Sequence, residues 1–206
     1  MKLVRTMVKE TQLIRNSTLD FATALKTAEK EVSQLKGELE KSQKDAFYDA
    51  LTGLYNRRYL DSEIQAIDES QSPCLIMIDV DYFKEINDKY GHQMGDRVLK
   101  AIAKRLQEKC KPNATPFRFG GEEFAVLMRD TSLAEAIHQA EVIRRALEKV
   151  TVYDRRTNRS IDGVTASFGV AKLDHGMRRS DLLETADHRL YEAKRLGRNR
   201  VMPMQG

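Results

Sequence analysis

The first forty-odd residues carry a narrow stripe of apolar positions that recur in alternating steps of three and four. The stripe consists of Val4, Met7, Thr11, Ile14, Thr18, Phe21, Leu25, Ala28, Val32, Leu35, Leu39 and Ser42. Most of these positions are apolar, and a seam with this seven-residue repeat is typical of a parallel two-stranded coiled coil. One amphipathic helix packed on its own domain is the alternative. We predict a coiled-coil dimerisation helix over residues 1–44.

After this segment the pattern changes to that of an α/β domain. The continuous apolar run from Leu75 to Ile78, closed by Asp79, predicts a central strand buried on both faces. Apolar spacing predicts helices over 96–109, 133–147 and 182–196. Further strands are predicted over 117–119, 124–128, 164–171 and 200–202, the first two joined as a hairpin. This order predicts an α/β (α+β) fold over residues 45–206, with a central mixed sheet of ferredoxin-like or palm type.

Composition and charge narrow the classes of partner and compartment. The chain has 206 residues and a net charge of +4, which favours an anionic partner without choosing among nucleic acid, lipid and nucleotide phosphates. Cys74 and Cys110 lack the spacing of metal ligands, so we predict free thiols. The chain has no apolar run of ~20 residues that could cross a bilayer. Charge interrupts the first residues too early for a signal peptide, and we therefore expect a cytoplasmic location.

Acidic residues stand at two places where the predicted strands end. Asp79 closes the buried strand, and Asp81 follows on the same face if the strand continues. A buried carboxylate is costly unless it is paired or binds a cation, although a cap or an ion pair would explain a single aspartate. Glu122 and Glu123 follow the Gly-Gly turn, which is also ordinary hairpin chemistry. If the two strands are adjacent, these acids converge as oxygen ligands for magnesium, as phosphoryl transfer requires.

Five separated blocks carry a more specific pattern. They are residues 49–58 (DALTGLYNRR), 79–96 (DVDYFKEINDKYGHQMGD), 118–124 (RFGGEEF), 165–171 (TASFGVA) and 186–199 (ADHRLYEAKRLGRN). Their residues and spacing resemble the GGDEF-domain diguanylate cyclase family across roughly four fifths of the chain. The resemblance implies that two GTP molecules become cyclic di-GMP with loss of two pyrophosphates. It also implies Mg²⁺ as cofactor, with Mn²⁺ as a substitute, and a homodimer in which two domains face each other.

The resemblance also implies roles for individual residues. The implied metal ligands are Asp79, the backbone carbonyl of Val80, Glu122 and Glu123. Glu122 is implied as the proton acceptor for the 3′-hydroxyl, and Lys84 as the cation that stabilises the phosphates in the transition state. The implied substrate-binding residues are Phe83, Asn87, His92, Asp96, Lys194 and Arg198.

Five of these six substrate-binding residues carry a more specific expectation. Asn87 and Asp96 are implied as guanine readers, and a carboxylate at Asp96 accepts from guanine N1–H and the exocyclic amine, which adenine does not offer. Lys194 and Arg198, four residues apart, are expected on one helical face as triphosphate contacts. For His92, a packing or turn-capping imidazole is the alternative.

One site of the family, the one that binds inhibitory product, is altered in this chain. Lys111 and Ala114 occupy the positions of an arginine and an aspartate that bind inhibitory product in many relatives, so this inhibitory site is predicted not to be retained.

A catalytically silent module that binds GTP or cyclic di-GMP and signals through its coil is the alternative function. A palm-type polymerase is a third class, but the chain lacks an extended basic surface, and we expect no nucleic-acid partner.

Overall fold

A computed structural model describes residues 7, 15, 21, 25–39, 42, 46–68, 71–154, 159–174 and 176–203. The chain divides into two compact units, Met1–Ala46 and Phe47–Gly206. In the first unit residues 25–39 are helical, and the apolar seam positions Leu25, Val32, Leu35 and Leu39 are 51–59% exposed in the single chain. The predicted seam positions 4, 11, 14 and 18 lie outside the described residues.

The second unit is built around one sheet. Its elements are β1 (Tyr55–Asn56), α1 (Arg57–Gln65), β2 (Cys74–Val80), α2 (Phe83–Tyr90), α3 (His92–Lys109), β3 (Ala114–Gly120), β4 (Glu123–Met128), α4 (Leu133–Leu147), β5 (Thr151–Asp154), β6 (Arg159–Asp162), β7 (Ala166–Lys172), α5 (Arg179–Arg195) and β8 (Val201–Pro203). The strand order is β1-β3-β4-β2-β7-β8, and β5 pairs with β6 as a separate hairpin.

The direction of the strands explains the class of the fold. The four inner strands are antiparallel, while β1 and β8 are parallel to their neighbours at the two edges. The inner order β3-β4-β2-β7, with helices after β2 and β4, is that of a ferredoxin-like β-α-β-β-α-β arrangement. The predicted α/β fold with a central mixed sheet is therefore confirmed.

Strand β2 lies at the centre of the core because helices cover both faces of the sheet. Ile76 and Ile78 pack in the cluster that contains α3 and α4, while Leu75 and Met77 pack in the cluster that contains α1 and α5. A strand buried on both sides has no polar face, so its sequence is a continuous apolar run. Cys74, buried at its start, is a free thiol as predicted, and so is the half-buried Cys110.

Several elements differ from the sequence predictions. Strand β2 ends at Val80, so the condition under which Asp81 would follow Asp79 on the same face of the strand is not met. Helix α3 begins at His92 rather than at 96, because Gly91 alone makes the turn between α2 and α3. The short elements α1, α2, β5 and β6 were not predicted, since each buries too few residues to produce a clear period. Within the described ranges, no helix combines the length and the hydropathy of a membrane-spanning segment.

Candidate active site

Three carboxylates meet where β2 ends and β4 begins. The two strands are antiparallel neighbours, and Asp79 pairs in register with Glu123. The Val80 N–H donates a hydrogen bond to the carbonyl oxygen of Glu122 across 3.3 Å. The adjacency on which the sequence argument depended is present, and it places Asp79 beside the acids of the Gly120–Gly121 turn.

The three carboxylates carry like charges and repel one another. Burial, and then the charge of Asp79, raises the pKa of both Glu122 and Glu123. Burial also raises the pKa of Asp79, an effect that the Lys194 ammonium opposes. The Nζ of Lys194 lies 2.8 Å from Oδ2 of Asp79, whose side chain is only 12% exposed. A buried anion that is crowded by other anions needs a cation, and Lys194 supplies one.

The same cluster has the donor chemistry of a site for a hard divalent ion. Its ligand atoms are carboxylate oxygens, with the backbone of Val80 alongside, and their mutual repulsion is what a bound cation relieves. In the part of the chain that the structure describes, no group of three or more His, Cys, Asp or Glu side chains could hold a metal ion by itself.

Several residues that the resemblance assigns to the phosphates and the guanine base lie in the segment that follows β2. Lys84 is exposed in the first turn of α2, His92 is exposed as the first residue of α3, and Asp96 is exposed in the turn that follows. Asn87 is half-buried and faces Gly95, where an added β-carbon would overlap its side-chain oxygen. Phe83 is 7% exposed and belongs to the core, and the tip of its ring also lies close to Gly95.

The expected shared helical face of Lys194 and Arg198 is wrong. Helix α5 ends at Arg195, and Arg198 lies beyond it with a left-handed φ of 61°. Its guanidinium carbon sits 4.6 Å from the centre of the Tyr82 ring. Burial raises the pKa of Asp79, and the charge of Arg198 opposes this rise less than Lys194 does. The helix stops because Gly197 and the next two residues all adopt positive φ.

Comparison with known proteins identifies the domain. Residues 46–200 match the family described as Diguanylate cyclase, GGDEF domain. The chain belongs to this family. It is 48% identical over 205 residues to diguanylate cyclase VdcA of Vibrio cholerae, which covers 99% of this chain and 60% of VdcA. It is 41% identical over 174 residues to the response regulator PleD of Caulobacter vibrioides, covering 82% of this chain and 38% of PleD. The chain thus spans less than two thirds of the length of either relative.

Solved structures agree with the fold of this GGDEF domain. The coiled coil and GGDEF domain of DgcB from Caulobacter crescentus, solved with cyclic di-GMP, has a TM-score of 0.83 and 32% identity. The match covers 89% of this chain and 99% of that one. Diguanylate cyclases of this family are metal-dependent, which agrees with the donor chemistry of the carboxylate cluster.

Two residues of this GGDEF domain that received no role from the sequence hold its Gly-Gly turn in place. Arg118 donates from Nη2 to the carbonyl of Gly121 across 2.8 Å and from Nη1 to both carboxylate oxygens of Asp49 at 3.0 Å. Asp49 also accepts from the backbone N–H and hydroxyl of Thr52. Both residues stand in the matched blocks, and their opposite charges were the signal available in the sequence. The pair links the start of the domain to the turn that carries Glu122.

Asp49→Asn is expected to lower the free energy of unfolding by about 2 kcal/mol at pH 7, because Arg118 loses its charged partner. Burial raises the pKa of Asp49, but hydrogen bonds from Thr52 and Arg118 outweigh it and hold the pKa below 3.8. The stabilisation is therefore present above pH 3.8 and is lost as the pH falls through the lowered value. Urea unfolding at pH 7 and pH 3 measures both effects.

Asp61→Asn is the matched control for this prediction. Asp61 pairs with Arg57 at 3.8 Å, and both side chains are more than half exposed. We expect this control to change stability by less than ~0.5 kcal/mol at either pH. Equal losses in the two variants would contradict the role given to Asp49.

Proposed function

We propose that this chain is a diguanylate cyclase that condenses two GTP molecules into cyclic di-GMP and two pyrophosphates. The observation that carries the proposal is the meeting of Asp79, Glu122 and Glu123 at the ends of adjacent strands, beside Lys194. In this reaction each 3′-oxygen forms a bond to the α-phosphorus of the other GTP, and the bond to pyrophosphate breaks. Since GTP is the substrate, we place the protein in the cytoplasm.

Glu122 and Lys84 are the proposed catalytic residues. Glu122 takes the proton of the 3′-hydroxyl, and its raised pKa makes its carboxylate a stronger base than an ordinary glutamate. Lys84, exposed at the start of α2, stabilises the charge that develops on the phosphates. The α2 N-terminus contributes further, because its N-cap residue, Tyr82, makes no side-chain cap and leaves N–H groups for an anion.

We propose Mg²⁺, with Mn²⁺ as a substitute, as the metal. Asp79, the Val80 carbonyl, Glu122 and Glu123 would hold it, and when bound it supplies charge neutralisation for the triphosphate and the attacking oxygen. Lys194 and Arg198 would bind the outer phosphates. The proximity of Lys194 to Asp79 and of Arg198 to the same carboxylate supports this division of the site.

A direct assay separates the cyclase from the silent binding module. The protein is incubated with GTP and Mg²⁺, and cyclic di-GMP is measured with the oligomeric state determined in parallel. We expect product that disappears with EDTA and returns with added Mg²⁺ or Mn²⁺. GTP binding without product in a confirmed dimer would overturn the cyclase and favour the silent module.

Guanine recognition is assigned to Asn87 and Asp96, with His92 and the backbone of Phe83 nearby. Asn87 packs on Gly95, one residue before Asp96, so the two polar side chains lie near the same end of α3. An amide and a carboxylate together present the acceptors that guanine N1–H and the exocyclic amine require. ATP is therefore expected to compete poorly with GTP.

Gly95→Ala tests this arrangement. The new methyl group would displace the Asn87 amide, and loss of one hydrogen bond to the base is expected to raise the KM for GTP about ten-fold. Stability should change little, because only a side-chain tip must move and alanine favours the helix by up to ~1 kcal/mol. Steady-state kinetics and thermal unfolding of the same preparation check both. An unchanged KM would remove Asn87 from the base site.

We propose that the chain acts as a homodimer, joined through a coiled coil of residues 1–44 and facing catalytic domains 45–206. Two GTP molecules must meet, and one chain provides one set of carboxylates. The exposed apolar seam of the described helix supports this, since a second helix would cover it. The similar DgcB structure also contains a coiled coil before its GGDEF domain.

Leu35→Lys in the seam is expected to weaken the dimer about 100-fold, because each of two chains loses ~1.5 kcal/mol or more of apolar burial. Leu35 is 58% exposed in the single chain. Ser33→Lys, on the same helix but off the seam, is the control and should leave the dimer intact. Light scattering across a dilution series measures both, and an equal shift in both variants would argue against the coil.

We propose that product inhibition does not operate through the altered inhibitory site. Lys111 is exposed, and Ala114 is 7% exposed at the start of β3. An alanine has no acceptor for guanine, and a lysine lacks the two-pronged donor of arginine.

A further inference from the structure

Strained backbone is concentrated at one corner of the domain. Among the described residues, the non-glycine positions with positive φ are Tyr82, Asp130, Arg198 and Asn199. Three of these four lie together, since Arg198 contacts Tyr82 and directly precedes Asn199. Side chains rarely adopt this conformation, and proteins keep it where surrounding contacts enforce it, often at functional sites. The hydrogen bonds and ring contacts that enforce the positive φ at these residues show which groups this conformation positions.

A buried network fixes the backbone at Asn199. Its N–H donates to Oδ2 of Asp81 across 3.0 Å, and Asp81 in turn accepts from the Ser167 hydroxyl at 2.7 Å. The Asn199 amide donates to Glu148 at 2.7 Å and accepts from Arg144 at 3.0 Å. The hydrogen bond from Asn199 holds the pKa of Glu148 below its ordinary value. The loop after α5 is therefore tied to β7, to the end of β2 and to α4.

The backbone of Arg198 is fixed by the same loop. Its N–H donates to the carbonyl of Ala193 across 3.0 Å, which closes the end of α5. The remaining freedom of Arg198 lies in its long side chain, and fixing such a chain costs conformational entropy. The Tyr82 ring contacts that side chain, with the guanidinium carbon 4.6 Å from the ring centre. Cations bind ring faces at this distance, and the contact leaves guanidinium N–H groups available for another ligand.

We propose that Tyr82 is a positioning residue, whose ring holds the Arg198 guanidinium in the orientation that receives the GTP phosphates. The left-handed conformation of Tyr82, at the turn between β2 and α2, places its ring under that guanidinium. This inference rests on the proposed function, because it assigns Arg198 to the triphosphate. Tyr82 itself does not touch the reacting atoms.

The alternative use of an exposed ring is to stack directly on the guanine base. Tyr82 is 54% exposed, so exposure alone does not distinguish the two uses. They differ in their dependence on Arg198, because a stacking ring would contribute to binding whether or not the arginine is present. A double-mutant cycle therefore separates them.

The probe is 3′-deoxy-GTP with Mg²⁺, which carries the triphosphate but lacks the attacking hydroxyl, and Kd is measured by calorimetry. Tyr82→Asn removes the ring while asparagine tolerates the left-handed conformation, so thermal stability should be kept. We expect roughly two- to five-fold weaker binding for Tyr82→Asn, and wild-type binding for Tyr82→Phe. In an Arg198→Ala background, Tyr82→Asn should have no further effect.

Each outcome is decisive. Unchanged binding in Tyr82→Asn overturns the inference, and an equal loss with and without Arg198 replaces it with base stacking. A fall in melting temperature that accompanies weaker binding, and that Tyr82→Phe does not restore, would reduce Tyr82 to a structural role. Failure of the wild-type protein to bind 3′-deoxy-GTP would overturn the proposed function itself, which distinguishes that failure from failure of the inference alone.

Discussion

Glu122→Gln is expected to reduce formation of cyclic di-GMP by about 100- to 10,000-fold, which is the usual contribution of a general base. Glutamine has the same shape but cannot accept the proton of the 3′-hydroxyl, and it is a poorer metal ligand. GTP binding should be weakened far less than turnover, because the base and phosphate contacts lie on α2, α3, α5 and the loop after α5. Product quantification at saturating GTP measures the effect.

The same substitution is expected to leave the melting temperature at pH 7 unchanged or raised. Burial and the charge of Asp79 raise the pKa of Glu122 above 4.5, so its ionisation opposes folding. For a raised carboxyl pKa, that penalty is absent below pH 4.5 and develops as the pH rises through the folded value. The advantage of glutamine should therefore be seen at pH 7 and vanish near pH 4.

Glu184→Gln is the matched control for Glu122. Glu184 is exposed on α5, so its replacement should change neither turnover nor melting temperature. Turnover that survives Glu122→Gln within a factor of ten would exclude Glu122 as the base. A loss of stability together with activity would show that the residue supports the fold instead of the reaction.

Gly169→Ala is expected to lower the free energy of unfolding by about 3 kcal/mol or more, a melting-temperature loss on the order of 10 °C. Gly169 lies in β7, where α5 packs directly against the strand. A β-carbon there would overlap the carbonyl oxygen of Ala186 and the amide nitrogen of Leu190, and would lie 2.9 Å from Cα of Leu190. These are backbone atoms of a helix, so relief requires the whole helix to move.

Gly37→Ala is the control with the opposite sign. Gly37 is in the N-terminal helix, and nothing lies within 4 Å of an added β-carbon. Alanine is favoured over glycine in a helix by up to ~1 kcal/mol, so this variant should be neutral or more stable. Calorimetry compares the two. A loss below ~2 °C for Gly169→Ala would show that α5 shifts easily and that the close packing is not needed.

The sequence predicted those elements of the fold in which many residues are buried, because each buried residue adds to the same apolar pattern. The apolar run of β2 and the periods of α3, α4 and α5 are long, so single exceptions did not hide them. Helix α2 and the β5–β6 hairpin were missed because eight- and four-residue elements bury one or two side chains each. The start of α3 was placed four residues too late because the apolar period that predicted it becomes regular only at Val98, whereas the helix begins at His92 and Gly95 packs against Asn87.

What the sequence determined by itself was membership of the GGDEF family, because motif residues are local. The convergence of Asp79 with the Gly-Gly turn was predicted only if the two strands are adjacent, and their pairing came from the structure. Only the tertiary structure decided which charges meet. Arg118 bonds Asp49 from 69 positions away, and Asn199 bonds Asp81 from 118 positions away. Such pairs follow from how the chain folds around β2. A periodic pattern of apolar residues indicates that one face of an element is buried, but it does not indicate which element covers that face.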